Sequence, residues 1–372
     1  MIGYVAPTRN RPERVRALLE AIERLGPHRA EVVLVDNASA EPIRAPSMLS
    51  TGVAVRVIRL ERNRAAAARN DGVLALDPSC EWVVMLDDDS APVDLGFLPA
   101  LRRQGGDVAA VMADIHLPRA GAREQGGLPE VFIGCGVAIR REAFLACGGY
   151  DAAFGYYAEE YDLSAKLLIA GWRVAFEPEF RVDHLKVLEG RDMDLILHRL
   201  VRNNGWVMQR YAPEWARSAS LADVKSRYKR IAEREWALPG YGRGLRELNK
   251  TLWVQERTPM ARELWDRFTG FAAAHAALCA AQDRSPFRTA ALIRPGKHAG
   301  EVVRAIEASG ARVIDDVEEA EALVLGTLSP GPLIDAAMEC SGDLRVVAPW
   351  SVAQRYAETG TLAADGTIPL AG

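Results

Sequence analysis

Short apolar runs alternate with segments of helical spacing over the first part of the chain. Four runs, residues 2–6, 31–35, 53–60 and 83–86, have the length and the β-branched content of strands. Between the first two runs, apolar side chains recur every three or four residues from Val15 to Leu25, after Pro12, which suits a first helical turn. Strands that alternate with helices at this spacing predict βαβ units, a parallel sheet and an α/β fold.

Polar residues follow the predicted strands where each strand ends. Thr8 and Arg9 follow the first strand, Asp36 ends the second, and Asp87 to Asp89 follow the fourth. The carboxyl ends of parallel strands meet at one edge of a sheet, which is where ligands bind in open α/β folds. We therefore expect these side chains to form one site.

Three consecutive carboxylates, Asp87, Asp88 and Asp89, indicate what that site binds. Adjacent acids repel one another and are stable where water or a cation neutralises them. Mg²⁺ and Mn²⁺ take one or two carboxylates and complete their shells with phosphate oxygens and water. The pattern therefore predicts a site for a divalent cation and a diphosphate, with a solvated acidic turn as the alternative.

The alternation continues beyond the acidic triplet. Residues 94–103 are a predicted helix, 108–115 a strand, 116–129 a glycine-rich charged loop and 131–139 a strand. Residues 174–176 and 180–182 are predicted as two short strands. A predicted helix before these two strands starts with Glu159, Glu160 and Asp162, whose ionised forms the helix dipole favours.

Two further regions complete the predicted domain organisation, which is 1–185, 186–285 and 286–372. The middle region is helical, and five of the eight tryptophans lie in it: Trp206, Trp215, Trp236, Trp253 and Trp265. Together with a cation-rich stretch at 226–234, they form either an acceptor-binding side or a helical core with a solvated face. The last region has the pattern of a small Rossmann-like unit. Gly296-Lys297 lacks the spacing of a phosphate loop, so a packing, dimerisation or docking module is predicted there.

Composition excludes several classes of protein. The 46 Lys and Arg nearly balance the 50 Asp and Glu, so the overall charge gives no strong nucleic-acid signal. We find no apolar run of transmembrane length, and the N-terminus lacks the regions of a signal peptide. Five cysteines without a C-x-x-C pair predict a reduced, cytoplasmic protein without a disulfide framework or a zinc site.

In chain order, residues 1 to about 185 carry a series of motifs that together resemble the family 2 glycosyltransferases. The motifs are Pro7-Thr8-Arg9, Asp36-Asn37-x-Ser39, Asn63, Arg69-Asn70-x-Gly72, Leu86-Asp87-Asp88-Asp89, Gly148-Gly149-Tyr150-Asp151, Glu159-Glu160-Tyr161-Asp162-Leu163, Ala170-Gly171-Trp172 and His184. The resemblance implies the GT-A fold, a Rossmann-like mixed sheet with helices on both faces. It also implies metal-dependent transfer of a sugar, with inversion, from a nucleoside diphosphate sugar to a hydroxyl acceptor. The chain departs from the family at Glu160, where Asp is common.

The resemblance assigns roles to particular residues. The predicted nucleotide-binding residues are Pro7, Thr8, Arg9, Asp36, Asn63, Arg69, Asp87 and Asp88. The predicted ligands of Mn²⁺ or Mg²⁺ are Asp87, Asp89 and His184. Glu160 is the predicted base that removes the acceptor proton, with Glu159 as its substitute and Asp162 in support. UDP is the first-choice donor nucleotide, ahead of dTDP or GDP, while the acceptor class and a homo-oligomeric state are left open.

Two other functions compete with sugar transfer. A metal held by carboxylates also serves nucleotidyl- or phosphoryl-transferring enzymes. A non-catalytic sugar-nucleotide-binding module is the third hypothesis. Against the first competitor, no glycine-rich phosphate loop follows the first strand, and the intact carboxylates argue against the second.

Overall fold

The computed structural model describes residues 1–186 and 191–359. This part of the chain divides into two compact units. The first contains residues 1–113 and 131–265, and the second contains residues 114–130 and the described residues from 266 onward. The three-part organisation with boundaries near residues 185 and 285 stays a prediction.

The described residues form one large mixed sheet of nine strands. Its strands are β1 (Ile2–Thr8), β2 (Ala30–Asp36), β3 (Ala54–Arg59), β4 (Trp82–Leu86), β5 (Ser90–Pro92), β6 (Val108–Leu117), β7 (Ala122–Arg123), β8 (Gly136–Arg140) and β9 (Arg173–His184). Their order is β3-β2-β1-β4-β8-β6-β9-β5, and β7 pairs with the end of β6. The pairs among β1 to β4 are parallel, whereas β8 runs antiparallel to β4 and β6. The predicted mixed α/β fold is confirmed.

Helices connect and cover these strands. They are α1 (Pro12–Arg24), α2 (Ala68–Ala75), α3 (Phe97–Arg103), α4 (Arg141–Ala146) and α5 (Glu159–Ile169). The chain steps from β1 through α1 to β2 in one direction, and from β3 through α2 back across to β4 in the other. Right-handed crossovers in opposite directions place α1 and α2 on opposite faces of the sheet.

This change of direction creates a switch point between β1 and β4. Ligands of open α/β sheets bind in the crevice outside the carboxyl ends of strands at such a point. The residues at these two strand ends are Thr8 on β1 and Asp87 just after β4. The topology therefore places the acidic triplet where the fold itself opens a crevice.

Five helices follow the large sheet. They are α6 (Met193–Tyr211), α7 (Glu214–Arg234), α8 (Leu238–Thr251), α9 (Arg262–Thr269) and α10 (Phe271–Arg284). Helix α6 packs closely on α8 because glycines face it: a methyl group on Gly240 would lie 2.0 Å from the carbonyl oxygen of Asp194. In the described residues, we find no helix that is both long and apolar enough to cross a membrane.

The end of the chain folds around a second, smaller sheet. Its four strands are β10 (Thr289–Ile293), β11 (Arg312–Ile314), β12 (Ala322–Leu325) and β13 (Val346–Val347). Within the described residues they are all parallel, in the order β11-β10-β12-β13. Its helices are α11 (Ala299–Ala308), α12 (Pro330–Glu339) and α13 (Ser351–Thr359). The predicted small Rossmann-like unit is thus present.

Three predicted elements differ from the structure. The strand predicted from residue 131 begins at Gly136, because residues 131–135 follow an irregular path. The two short strands predicted at residues 174–176 and 180–182 are one continuous strand, β9, which runs through Pro178. The segment 116–129 was predicted as a loop, but it contains β7 and buries Glu124 and Leu128.

Candidate functional site

The acidic triplet forms a tight turn that Ser90 holds. The backbone N–H of Ser90 donates to the carbonyl of Asp87 over 3.2 Å. The Ser90 hydroxyl accepts a hydrogen bond from the Asp87 N–H at 2.9 Å and donates to the Cys135 carbonyl at 2.8 Å. The turn is therefore fixed to the segment before β8, and its three carboxylates point to different neighbours.

Asp88 joins the ends of β1 and β4. Its Oδ2 accepts a hydrogen bond from the Thr8 hydroxyl at 2.8 Å, and its Oδ1 forms an ion pair with Arg11 at 3.1 Å. Burial raises the pKa of Asp88 above its usual value, while Thr8 and Arg11 oppose that rise. The predicted pair Thr8 and Asp88 is thus brought together, and Arg11 is added to it.

Asp89 faces His184 because β5 pairs with β9. The register places Ser90 opposite His184, and the Asp89 Oδ1 lies 3.3 Å from the His184 Nε2. On the other side of the ring, the Cys135 Sγ lies 3.6 Å from Nδ1. Burial would raise the pKa of Asp89, but the hydrogen bond and charge of His184 bring it below its usual value.

Asp87, Cys135 and His184 could together hold a metal ion. One ligand atom from each lies within 4.8 Å of the others. Two of these three residues, Asp87 and His184, are predicted metal ligands, and the third predicted ligand, Asp89, contacts His184 directly. The structure therefore brings the predicted ligands together and adds Cys135.

Arg69 approaches the turn from α2. Its guanidinium forms an ion pair with Asp87 and donates to the Leu86 carbonyl at 3.1 Å. The side chain is buried, and its Nε finds no hydrogen-bond partner among the described residues. One helical turn after Arg69, a methyl group on Gly72 would lie 2.4 Å from the side chain of Val5. Glycine therefore permits the close packing of α2 on β1 that brings Arg69 to the acidic turn.

The other predicted nucleotide-binding residues surround the end of β2. Asp36 is fully buried, and its two oxygens accept hydrogen bonds from the backbone N–H groups of Ser39 and Ile43. Burial raises its pKa, but these hydrogen bonds hold the pKa below the usual value. Asn63 caps the turn before α2 through its hydrogen bond from the Ala65 N–H. Arg9 is exposed, and Pro7 is half-buried beside it.

Helix α5 begins with two glutamates in a buried environment. Burial and the charge of Glu160 raise the pKa of Glu159 well above its usual value, and burial also raises the pKa of Glu160. Glu160 lies against Gly134, and the Oε2 of Glu159 finds no hydrogen-bond partner in the described part of the chain. The charges of Arg69 and Asp87 act on both glutamates, so α5 and the acidic turn belong to one site.

Asp162 has a different environment. It is fully buried and accepts hydrogen bonds from the Tyr211 hydroxyl at 2.7 Å and from Arg210 at 2.9 Å. Its other oxygen forms an ion pair with Lys166 at 2.6 Å. These contacts tie α5 to α6, which is consistent with a supporting role for Asp162.

A strained segment leads into α5. Tyr157 and Ala158 both have positive φ values, 74° and 65°, which non-glycine residues rarely adopt. The buried Asn203 of α6 donates to the carbonyls of Tyr156 at 2.9 Å and of Tyr157 at 2.6 Å. This side chain holds the segment that sets the position of Glu159.

Several contributors to this site were not found from the sequence. They are Arg11, Ser90, Cys135, Asn203 and Arg210. Ser90 directly follows the triplet, so its role as a turn residue could have been recognised. The other contacts depend on strand register and on the packing of α6, which local sequence does not report.

Comparison with known proteins agrees with this geometry. Residues 4–124 match the family model described as "Glycosyl transferase family 2". An "Uncharacterized glycosyltransferase" of Haemophilus influenzae is 27% identical over 191 residues, which cover 45% of this chain and 62% of that protein. The chain therefore spans less than two thirds of this curated relative.

One solved structure shares the fold at low sequence identity, and a second is similar at a lower TM-score. S. aureus TarS 1–349 in complex with UDP-GlcNAc has a TM-score of 0.50 and 13% identity, with coverage of 83% of this chain and 90% of that one. A mannosyltransferase from Pyrobaculum calidifontis in complex with GDP-Man and Mn²⁺ has a TM-score of 0.45 and 18% identity, with coverage of 77% and 81%.

The mixed α/β sheet with its switch-point crevice is the GT-A fold, which the TarS structure shares. Over residues 4–124 the chain is similar to the family 2 glycosyltransferases, and the curated relative is also described as a glycosyltransferase.

Proposed function

We propose that this protein transfers a sugar from a nucleoside diphosphate sugar to a hydroxyl acceptor, with inversion and with the help of a divalent cation. The observation that carries the proposal is the meeting of the acidic turn, His184 and the two glutamates of α5 in one site. The charges of Arg69 and Asp87 act on both glutamates. This supports a donor site at the acidic turn next to an acceptor site at the start of α5.

The switch-point crevice is the proposed donor site. Departure of a nucleoside diphosphate builds negative charge on its β-phosphate, and cationic or metal partners stabilise that charge. Arg69 and Arg11 are the cations that contact the acidic turn. A structure with the same fold contains UDP-GlcNAc, which makes a UDP-sugar the first donor to test.

The residues at the turn suit Mn²⁺ or Mg²⁺. Both cations accept carboxylate oxygens, which Asp87 and Asp89 would supply; the imidazole of His184, next to both carboxylates, is a ligand that Mn²⁺ accepts more readily than Mg²⁺. Cys135, whose Sγ lies 3.6 Å from the other ring nitrogen, is a further candidate ligand beside Asp87 and His184. A bound cation would supply charge stabilisation for the diphosphate.

Glu160 is the proposed base. A carboxylate that takes the acceptor proton works best when its pKa lies nearer to neutral pH, and burial raises the pKa of Glu160 in that direction. Glu159, whose pKa is raised further, is the substitute. Asp162 supports them by fixing α5, because both of its oxygens already have partners on α5 and α6.

A thermal-shift panel tests the proposal. The full chain is heated with UDP-, dTDP-, GDP- and ADP-sugars, each with and without Mn²⁺, since a ligand that binds the native state raises its melting temperature. We expect one nucleotide class to raise the melting temperature with Mn²⁺ present. Nucleotide release from that donor in the presence of hydroxyl acceptors, with NMR of the product anomer, then tests transfer and inversion.

Two results would decide against sugar transfer. Binding of a nucleotide sugar without release of nucleoside diphosphate, under any acceptor tested, would favour the non-catalytic module. Release of pyrophosphate from a nucleoside triphosphate would favour nucleotidyl transfer.

A further inference from the structure

Helix α8 carries an exposed row of cations with a tryptophan at each end. Arg243, Arg246 and Lys250 are exposed and are three and four residues apart, so they share one face of the helix. Trp236 precedes α8 and is 93% exposed, and Trp253 follows it and is 79% exposed. We call these five residues the α8 stripe. A helix of this length extends about 21 Å.

Packing on the other side of α8 fixes which face is exposed. Methyl groups on Gly240 and Gly244 would lie 2.0 Å and 2.3 Å from carbonyl oxygens of α6, so these two helices are in close contact. Leu248 and Tyr241 are also buried, and they lie four and three residues from Gly244, on the same face of α8. The α8 stripe is therefore a defined outer face of a well-packed helix.

The α8 stripe lies in the most cationic part of the chain. Residues 225–254 contain eight Lys and Arg against three Glu, a local charge of +5 in a chain whose net charge is −4. Arg246 and Lys250 have no ion pair among the described residues. Lys229, Arg230 and Arg234 of α7 add further exposed cations. Such a surface attracts an anionic partner.

The tryptophans and their neighbours indicate which anionic partner fits. Leu238 beside Trp236 and Val254 beside Trp253 are also exposed, at 46% and 77%. Tryptophan favours the boundary between headgroups and acyl chains, and exposed aliphatic side chains next to it gain from burial in the same layer. We propose that the α8 stripe binds the surface of an anionic phospholipid bilayer, with Trp236 and Trp253 in the headgroup layer and the cations against lipid phosphates.

Two other partners fit this surface less well. A second copy of the chain in a two-fold interface would place the same cations against themselves. Nucleic acid would use the cations and stack bases on the rings, but Leu238 and Val254 would gain nothing from that contact. A bilayer would contact the cations, the tryptophans and the aliphatic side chains together.

Vesicle flotation of the full chain tests the proposal. Vesicles of phosphatidylcholine with about 30% phosphatidylglycerol are compared with pure phosphatidylcholine vesicles, at low and high salt. We expect flotation with the anionic vesicles at low salt, and its loss at high salt or without the anionic lipid.

Replacing Arg243, Arg246 and Lys250 by Glu should weaken partitioning of the protein onto the vesicles by at least about 100-fold. Each of Trp236→Ala and Trp253→Ala should weaken it by about tenfold.

Matched variants control for charge and for tryptophan loss. Arg24, Arg29 and Arg102 are exposed elsewhere in the first unit, and replacing them by Glu changes the net charge equally. Trp215→Ala removes a half-exposed tryptophan at the start of α7, where Arg262 covers the ring. These variants should float like the wild type.

Vesicle binding requires neither donor nor acceptor, so it is tested independently of sugar transfer. Failure of the wild type to float with anionic vesicles would overturn the proposal. Equal binding to pure phosphatidylcholine, or equal loss in the control variants, would overturn it too. So would self-association, or binding of a polyanion such as RNA, that depends on the α8 stripe while vesicles are not bound.

Discussion

The three carboxylates of the acidic turn differ in their neighbours, and this difference separates their proposed roles. Asp88 is engaged by Thr8 and Arg11, and Asp87 by Arg69. Asp89 faces His184, an imidazole that can share a cation with it. Among the three, Asp89 is therefore the residue whose replacement most directly tests the cation site.

Asp89→Asn should remove the Mn²⁺-dependent part of nucleotide binding. An amide keeps the size of the side chain but loses the charge that a cation requires, so we expect that part of the affinity to fall by at least about 100-fold. Calorimetric titration of the nucleotide with and without Mn²⁺ measures it. Asp107→Asn, at an exposed acid, is the matched control. Unchanged Mn²⁺-dependent affinity in Asp89→Asn would rule out this ligand.

Glu160→Gln should stop turnover while donor binding persists. Removal of a general base typically lowers the rate by about 10²–10⁴-fold, and the glutamine keeps the shape of the site. Steady-state rates and donor affinity are measured for this variant and for Glu159→Gln. If Glu159→Gln is the inactive variant and Glu160→Gln turns over normally, the two roles are reversed. If both stay active, the base lies elsewhere.

At the scale of elements, α6 determines where α5 begins. Asn203 holds the carbonyls before the strained residues Tyr157 and Ala158, and Arg210 and Tyr211 hold Asp162 in the first turn. The positions of the glutamates are thus set by a helix outside the large sheet. This arrangement assigns part of the middle region to the support of the candidate active site.

Asn203→Ala should loosen the start of α5. The variant leaves buried carbonyls without their donor, which costs about 2 kcal/mol of unfolding free energy. Turnover should fall by about tenfold through misplacement of the glutamates, with donor affinity unchanged. Calorimetry and steady-state kinetics measure the two effects. Asn249→Ala, on the exposed face of α8, is the control. A stability loss with normal turnover would limit Asn203 to a structural role.

Much of the element pattern could be predicted because each βαβ unit is locally encoded. The strand at residues 83–86 and the helix from Pro12 follow directly from apolar runs and helical spacing. The continuous strand β9 could not be predicted, since local rules end a strand at Pro178 and tertiary pairing overrides them. The pairing of Asp89 with His184 followed from the family resemblance and not from local rules, because it depends on the register of β5 and β9.

The tryptophans of the middle region show the same limit. Helical spacing allowed either a core or a ligand-facing surface, and the structure divides them. Trp206 and Trp265 are buried, whereas Trp236 and Trp253 are exposed. Burial of a helical residue depends on which face meets another helix, and a single helix with apolar residues on several faces does not specify this.

At the scale of the whole molecule, the second unit combines two distant stretches of sequence. Residues 114–130, which start with the last four residues of β6, belong to the same compact unit as the small parallel sheet. Arg123 joins them: it forms ion pairs with Asp114 and with Asp335 of α12, both at 2.7 Å. Tyr356 of α13 donates to Asp114 at 3.0 Å. Pairing over more than 200 residues of sequence has no local signal.

Asp114 makes the stability of this unit depend on pH. Burial would raise its pKa, but hydrogen bonds from His116 and Arg123 outweigh burial and lower the pKa from 3.8 to about 2. A carboxylate with a lowered pKa in the folded state stabilises the fold above the pKa of the unfolded chain. That contribution disappears as the pH falls from about 4 to about 2, where the folded carboxylate takes up its proton.

Asp114→Asn should therefore destabilise the second unit by about 2 kcal/mol at pH 6, because the ionised partner of Arg123 is lost. The difference from the wild type should shrink steadily below pH 4, where the wild type loses the same ionised group. Differential scanning calorimetry at pH 6, 4 and 3 measures both effects. Asp315→Asn, at an exposed acid of the same unit, should show neither. A difference between wild type and Asp114→Asn that stays constant from pH 6 to pH 3 would mean that Asp114 acts through its shape and not through its charge.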